Sequence, residues 1–208
     1  ASEFPPGPIV ISAIHWRPDI DVGGPLASCI VSNIQINVST TTNSADNLSS
    51  VFAQNTGTND TVVFSGTLNL GTSFTTQSNG TMAFDINVPL QTPFIYDPSM
   101  GNLLIDVRNF TGGTANLYDN STGNGSDSVS RMISSDANAT TADAIDTGGG
   151  AIQITYSPLT GPPVITSQPT NQIVLAGGDA TFTIAAIGAP PLSYQWFFTN
   201  GGASGATY

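Results

Sequence analysis

The 208-residue sequence contains no lysine, and its three arginines, Arg17, Arg108 and Arg131, lie far apart along the chain. Nucleic acids and anionic membrane surfaces are gripped by a stripe of positive charge. A chain of formal net charge -11 with no basic cluster is therefore expected to bind neither. Charge of either sign is scarce: 8% of residues are ionic, against roughly 25% in ordinary domains. Cysteine occurs once, at Cys29, so no intramolecular disulfide framework exists from which export could be read. No apolar run approaches the roughly 18–20 residues of a membrane-spanning helix.

Catalytic residue types are equally thin. The single histidine, His15, lies in an apolar stretch beside Trp16, and no Gly-x-Ser-x-Gly elbow accompanies it. Cys29 falls inside a strand-like run, where a thiol is normally inert. The single glutamate is Glu3, near the start, so the carboxylate pair of a glycoside hydrolase would have to come from aspartates that read as surface-turn residues. The sequence points away from an enzyme.

What fills the chain instead is Ser, Thr, Asn and Gly between short alternating runs. Apolar residues at every second position mark a half-buried strand. That period places Met82, Phe84, Ile86 and Val88 on one face of a strand over 81–88. It does the same for Ile34, Ile36 and Val38, for Leu103, Ile105 and Val107 with Asp106 and Arg108 opposite, and for Ile152, Ile154 and Tyr156. Further strands are expected over 9–16, 48–53, 61–70 and 128–134, about nine in all, with one short helical turn in the alanine-rich stretch 135–145. Asn79-Gly80 and Asn124-Gly125 supply hairpin turns. Many short strands and no helical stripe predict an all-β chain, a jelly-roll-like β-sandwich.

Pro158, Gly161, Pro162 and Pro163 cannot run through a central strand and mark a boundary. The expected organisation is a flexible tip over 1–7, a β-sandwich over 8–157, a linker over 158–163 and a further β segment over 164–208. The opening Ala1-Ser2-Glu3-Phe4 reads either as the start left by a removed signal peptide or as a sequence foreign to the fold.

Two resemblances follow from particular residues. Val164-Ile165-Thr166-Ser167-Gln168-Pro169, then Gly177-Gly178-Asp179-Ala180-Thr181-Phe182-Thr183-Ile184, then Gly188-Ala189-Pro190-Pro191 and Tyr194-Gln195-Trp196, resemble the first half of a bacterial immunoglobulin-like repeat. The resemblance implies a partial immunoglobulin-like sandwich in which Trp196 is buried and Ile184 stands where a cysteine would be. It also implies either that the protein continues past Tyr208 or that strands come from elsewhere. Pro93-Phe94-Ile95-Tyr96-Asp97-Pro98 and Gly101-Asn102-Leu103-Leu104-Ile105-Asp106-Val107 resemble a segment of uncharacterised exported bacterial β-sandwich proteins of the PEP-CTERM-associated type. That resemblance implies export and brings no activity with it.

Asn120, Thr122, Asn124 and Gly125, flanked by Asp119 and Asp127, imitate the first half of a calcium loop, but Arg131 stands where its bidentate glutamate belongs. Calcium is thus the one cofactor reading, with Asp119, Asn120, Asn124 and Asp127 as ligands, and a polar hairpin loop is the competing one. Asn-x-Ser/Thr sequons begin at Asn37, Asn47, Asn59, Asn79, Asn109, Asn120, Asn124 and Asn138, candidates for glycan attachment in a composition that also produces such tripeptides by chance.

The functional expectation is an extracellular or cell-surface structural protein. It would self-associate head-to-tail into a filament or stalk by β-strand complementation, with Ile9, Val10, Ile11 and Ile14 as the donated strand and an ordinary buried first strand as the competing reading. The alternative is a secreted carbohydrate-binding or adhesion module using Trp16, Tyr96, Phe110 and Tyr118 as stacking platforms.

Overall fold

The computed structural model describes residues 3–21, 25–112, 120–121, 128–175, 177–189, 192–200 and 203–207. The chain divides into two compact units, Ala1–Ser157 and Pro158–Tyr208, and both are built from strands. The one helical segment among the described residues is a 3-10 turn over Phe52–Gln54.

The first unit contains β1 (Ile9–Trp16), β2 (Leu26–Thr41), β3 (Thr61–Thr72), β4 (Ile86–Tyr96), β5 (Asn102–Asn109), β6 (Asn120–Ser121), β7 (Arg131–Ile133), β8 (Ala144–Asp146), β9 (Gly149–Gly150) and β10 (Ile152–Pro158). Two three-stranded sheets form its body, in the orders β10-β1-β4 and β3-β2-β5. The short strands pair separately, β6 with β9 and β7 with β8. The core lies between the two large sheets. Ile9, Ile11, Ile14, Val88, Phe94 and Tyr96 face Val31, Ile34, Ile36, Val38, Val63, Phe64 and Leu68, with Leu103, Ile105 and Ile154 packed at its margin. Full burial of an aliphatic side chain contributes about 1.5–3 kcal/mol, so this cluster supplies the main driving force for the unit.

Local chemistry explains the phase of each strand. β1 is buried at 9, 11, 13 and 14, which breaks strict alternation. A register shift against β4 between Ile11 and Ala13 absorbs the extra residue, and Ile9, Ile11 and Ile14 all reach the interior. β2 runs antiparallel to both β3 and β5, and its inward residues Ile34, Ile36 and Val38 follow the expected period. Ser39 and Thr41 on β2 are also buried, because the loop after β2 folds back over them: Gly57 N–H donates to Ser39 Oγ, and Asn43 N–H donates to Thr41 Oγ1.

Several sequence expectations are corrected. The run 48–53 is not a strand. It is part of this loop: its backbone meets residues 140–142 at the single antiparallel bridge Val51–Thr141, and the side chains of Ser49 and Asn55 hydrogen-bond to the loop backbone. The strand expected over 81–88 begins only at Ile86. Before it, residues 75–83 close their own small hairpin around the bridge Thr76–Met82, and Ser73 N–H donates to Asp85 Oδ2. Burial of Met82, Ile86 and Val88 explains why the alternation read as one strand. The stretch 128–134 holds only β7 (Arg131–Ile133). No helix occupies 135–145. Asp143 accepts from the Ser135 backbone and from Ser134 and Ser135 hydroxyls, fixing a turn that leads into β8. The segment expected as a loose tip is anchored by Phe4, which meets Tyr96 and Tyr156 edge-on at centroid distances of 5.2 and 6.0 Å.

The second unit contains β11 (Val164–Ser167), β12 (Ala185–Ile187), β13 (Phe197–Asn200) and β14 (Ala203–Thr207), arranged as two antiparallel ribbons, β11–β12 and β13–β14. Trp196 is 45% exposed, not buried as the resemblance implied. Its ring has Phe182 at 6.4 Å for a neighbour, but among the described residues the unit adds no side chain to the buried apolar set.

Candidate functional site

The candidate donor strand sits inside its own sheet. β1 is flanked by β10 and β4, with Ile9, Ile11 and Ile14 almost fully buried and Val10 facing partly outward. These side chains fill the core of their own unit, the place of an ordinary first strand. Among the calcium candidates, Asp119, Asn124 and Asp127 lie outside the described residues, and Asn120 opens β6 opposite Gly150. Among the described residues no three His, Cys, Asp or Glu side chains gather where they could hold a metal ion.

The sequons differ sharply in setting. Asn37 is 8% exposed, accepts from Gln35 Nε2 and donates its own Nδ2 to Asp60 at 2.8 Å, which leaves no room for a glycan on that nitrogen in the folded unit. Asn59 is exposed but clamps Thr40 through both ends of its amide, and Asn109 holds the turn to Thr111 and Gly112. Asn47, Asn79 and Asn138 are exposed, and Asn79 sits at a hairpin tip with its Oδ1 accepting from Thr81. Asn124 lies outside the described residues, as does Tyr118.

The aromatic candidates do not form a platform among the described residues. Tyr96 is buried, with its hydroxyl donating to Gly101 O at 2.9 Å, and that burial raises its pKa. Trp16 packs against the core margin, which leaves Phe110 exposed. His15 Nε2 lies 2.8 Å from Thr155 Oγ1, a cross-strand bond between β1 and β10 that involves no carboxylate. Cys29 is a free, half-buried thiol on β2.

The sheet edges carry the more specific geometry. A strand edge presents unpaired backbone groups to solvent and will add another strand unless something blocks it. The edge of β3 is blocked three times over. Its pairing with β2 shifts register between Val31 and Ile34 and again between Ile36 and Asn37. Gly66 adopts a φ of +130°, a conformation an L side chain resists. Between these irregularities the Gln91 side chain, from β4 in the other sheet, pairs with the Ser65 backbone. Ser65 N–H donates to Gln91 Oε1 at 3.0 Å, and Gln91 Nε2 donates to Ser65 O at 3.1 Å. One primary amide thus replaces the peptide group of a missing strand. β4 carries Pro89 and Pro93, which reduce its own ladder donors.

The opposite edge has none of these devices. β5 pairs with β2 through eight consecutive positions, Ile34↔Asn109 to Thr41↔Asn102, without a shift, and it contains no proline. Among the described residues no strand pairs on its other side. Val107, on the inward-facing side of β5, stands 48% exposed because it lies at this open margin. On the outer face, Arg108 Nε and Nη2 both donate to Asp106 Oδ2, at 2.9 and 2.7 Å. Those bonds hold the Arg108 pKa above its ordinary value. Among the described residues Asp106 Oδ1 and Arg108 Nη1 make no hydrogen bond, and the two side chains are 28% and 39% exposed. The sequence had shown the alternation of this strand, with Asp106 and Arg108 opposite Val107. What it did not contain was any sign that β5 would be an outer strand, or that Gln91 would cover the other one.

Compared with protein-family models, curated proteins and solved structures, the chain matches none of them.

Proposed function

We propose that this chain is a non-enzymatic architectural module of an extracellular or cell-surface assembly, joined to its neighbours by strand addition at a sheet edge. The observation that carries the reading is the asymmetry of the sandwich. One lateral edge is bulged and plugged by Gln91, whereas β5 is regular, free of proline and open among the described residues. Edges left in this state are where sheets accept another strand. The weakly ionic, lysine-free surface and the two resemblances noted in the sequence support an exported setting. Since β1 fills its own core, the joining strand is better sought at the edge than in residues 9–14.

Light scattering on the sizing column, run from micromolar to several hundred micromolar, together with negative-stain electron microscopy, tests this reading. Concentration-dependent oligomers or filaments are expected. A monodisperse monomer at every concentration overturns the reading, and selective binding on a glycan array would then favour the carbohydrate-binding alternative.

A further inference from the structure

The open edge also carries the pattern that would select its partner. We infer that β5 pairs antiparallel with β5 of a second copy of this chain, about a two-fold axis through Val107, extending β3-β2-β5 into a six-stranded sheet shared by two chains. This inference rests on the proposed edge assembly and specifies its partner and register.

In an antiparallel pair, directly opposed residues point to the same face, and a two-fold axis normal to the sheet keeps each face on its own side. The strand can therefore centre only on a residue, so that position c faces c of the partner and c−1 faces c+1. Centring on Val107 sets each Asp106 opposite the other chain's Arg108. The unused Asp106 Oδ1 and Arg108 Nη1 then have partners, and two intrachain pairs become a four-membered alternating cluster. On the same outer face Leu104 meets Phe110, whose ring is otherwise exposed just beyond the strand end. On the inner face the two exposed Val107 side chains meet each other. Centring on Asp106 or on Arg108 instead places like charges directly opposite, which destabilises a strand pair. The register is thus selected by attraction at 107 and by repulsion at its neighbours.

Sedimentation equilibrium of the full chain tests the register. Asp106→Arg sets arginine against Arg108 twice by symmetry, and Arg108→Asp sets aspartate against Asp106 twice. Each single variant is expected to weaken association by about tenfold or more. The double variant D106R/R108D exchanges the charges and restores opposite pairing, so its association should return close to the original. Val107→Lys, a charge at the centre of the seam, should abolish dimers while leaving the thermal unfolding midpoint within a few degrees. Dimers insensitive to all four changes overturn the β5 pairing while leaving self-assembly intact. A double variant no better than the singles overturns the charge-selected register. Absence of association at every concentration overturns both the pairing and the assembly reading beneath it.

Discussion

Replacing Asn55 by alanine removes a side chain that organises the loop covering the outer face of β2. Asn55 is 2% exposed, and its amide is used at both ends. Oδ1 accepts from Ser49 N–H and from Asn43 Nδ2, each at 2.8 Å. Nδ2 donates to Ser49 O at 2.8 Å and to Val51 O at 3.2 Å, and it also lies 3.0 Å from Met132 Sδ. A net hydrogen bond contributes about 1 kcal/mol, and a buried group left without a partner costs about 1–3 kcal/mol. Alanine strands the Ser49 peptide on both its N–H and C=O sides, so the expected loss is about 3–5 kcal/mol. In a domain of this size that lowers the unfolding midpoint by roughly 10 °C. Asn55→Asp should be at least as damaging at neutral pH, since a carboxylate oxygen would face the Ser49 and Val51 carbonyls. Differential scanning calorimetry of the full chain separates the transition of the first unit, and urea unfolding gives its free energy. A loss below about 1 kcal/mol for Asn55→Ala would refute the reasoning, because solvent would then be replacing all of these bonds without penalty.

Gly57→Ala would place its Cβ 1.8 Å from Thr40 O, so the loop must lift off β2; severe destabilisation is expected in the same calorimetric scan, and a change within 0.5 kcal/mol or so would contradict it. Gln91→Ala uncovers the Ser65 peptide, and a loss of about 1–2 kcal/mol is expected with faster amide exchange at Ser65, whereas unchanged exchange there would show that the plug protects nothing. Asp146 has its pKa lowered, first by the hydrogen bond from Arg131 and further by the Gly148 N–H, so its contribution to stability is present above the ordinary carboxylate range and is lost as pH falls through the folded value. In Arg131→Gln the Asp146 carboxyl, followed by NMR, should titrate closer to its ordinary value, and an unmoved midpoint would remove Arg131 as the cause.

The sequence made the strands legible where one face is buried and the other wet. β2, β5 and β10 follow from alternation, because packing of one face against the opposing sheet enforces the same period on the side chains, and β1 and β3 follow from their β-branched and aromatic content. It was misleading where side chains bond to nearby backbone. Residues 48–53 have the strand-like content of Val51 and Phe52, yet they make one bridge, Val51–Thr141, and the Ser49 and Asn55 side chains bond the loop backbone locally, an outcome that composition does not encode. Over 81–88 the alternation correctly marks buried residues, but hairpin closure at Thr76–Met82 removes the first part from the sheet. The first-strand segment was legible as apolar on both faces and equally compatible with donation and with self-burial. The decision lies in its neighbours β10 and β4, which are distant in sequence. For the assembly edge, the charge alternation around Val107 was visible, whereas strand order was not. Local patterns report which face a residue takes; which strand ends a sheet is decided by the whole topology.

Hydrogen–deuterium exchange of the full chain at two concentrations, well below and well above the onset of association, tests the central claim most directly. Edge assembly through β5 requires concentration-dependent protection of amides within 102–109, with the plugged Ser65 region of β3 unchanged. Association accompanied by protection elsewhere, and none in β5, would contradict the account.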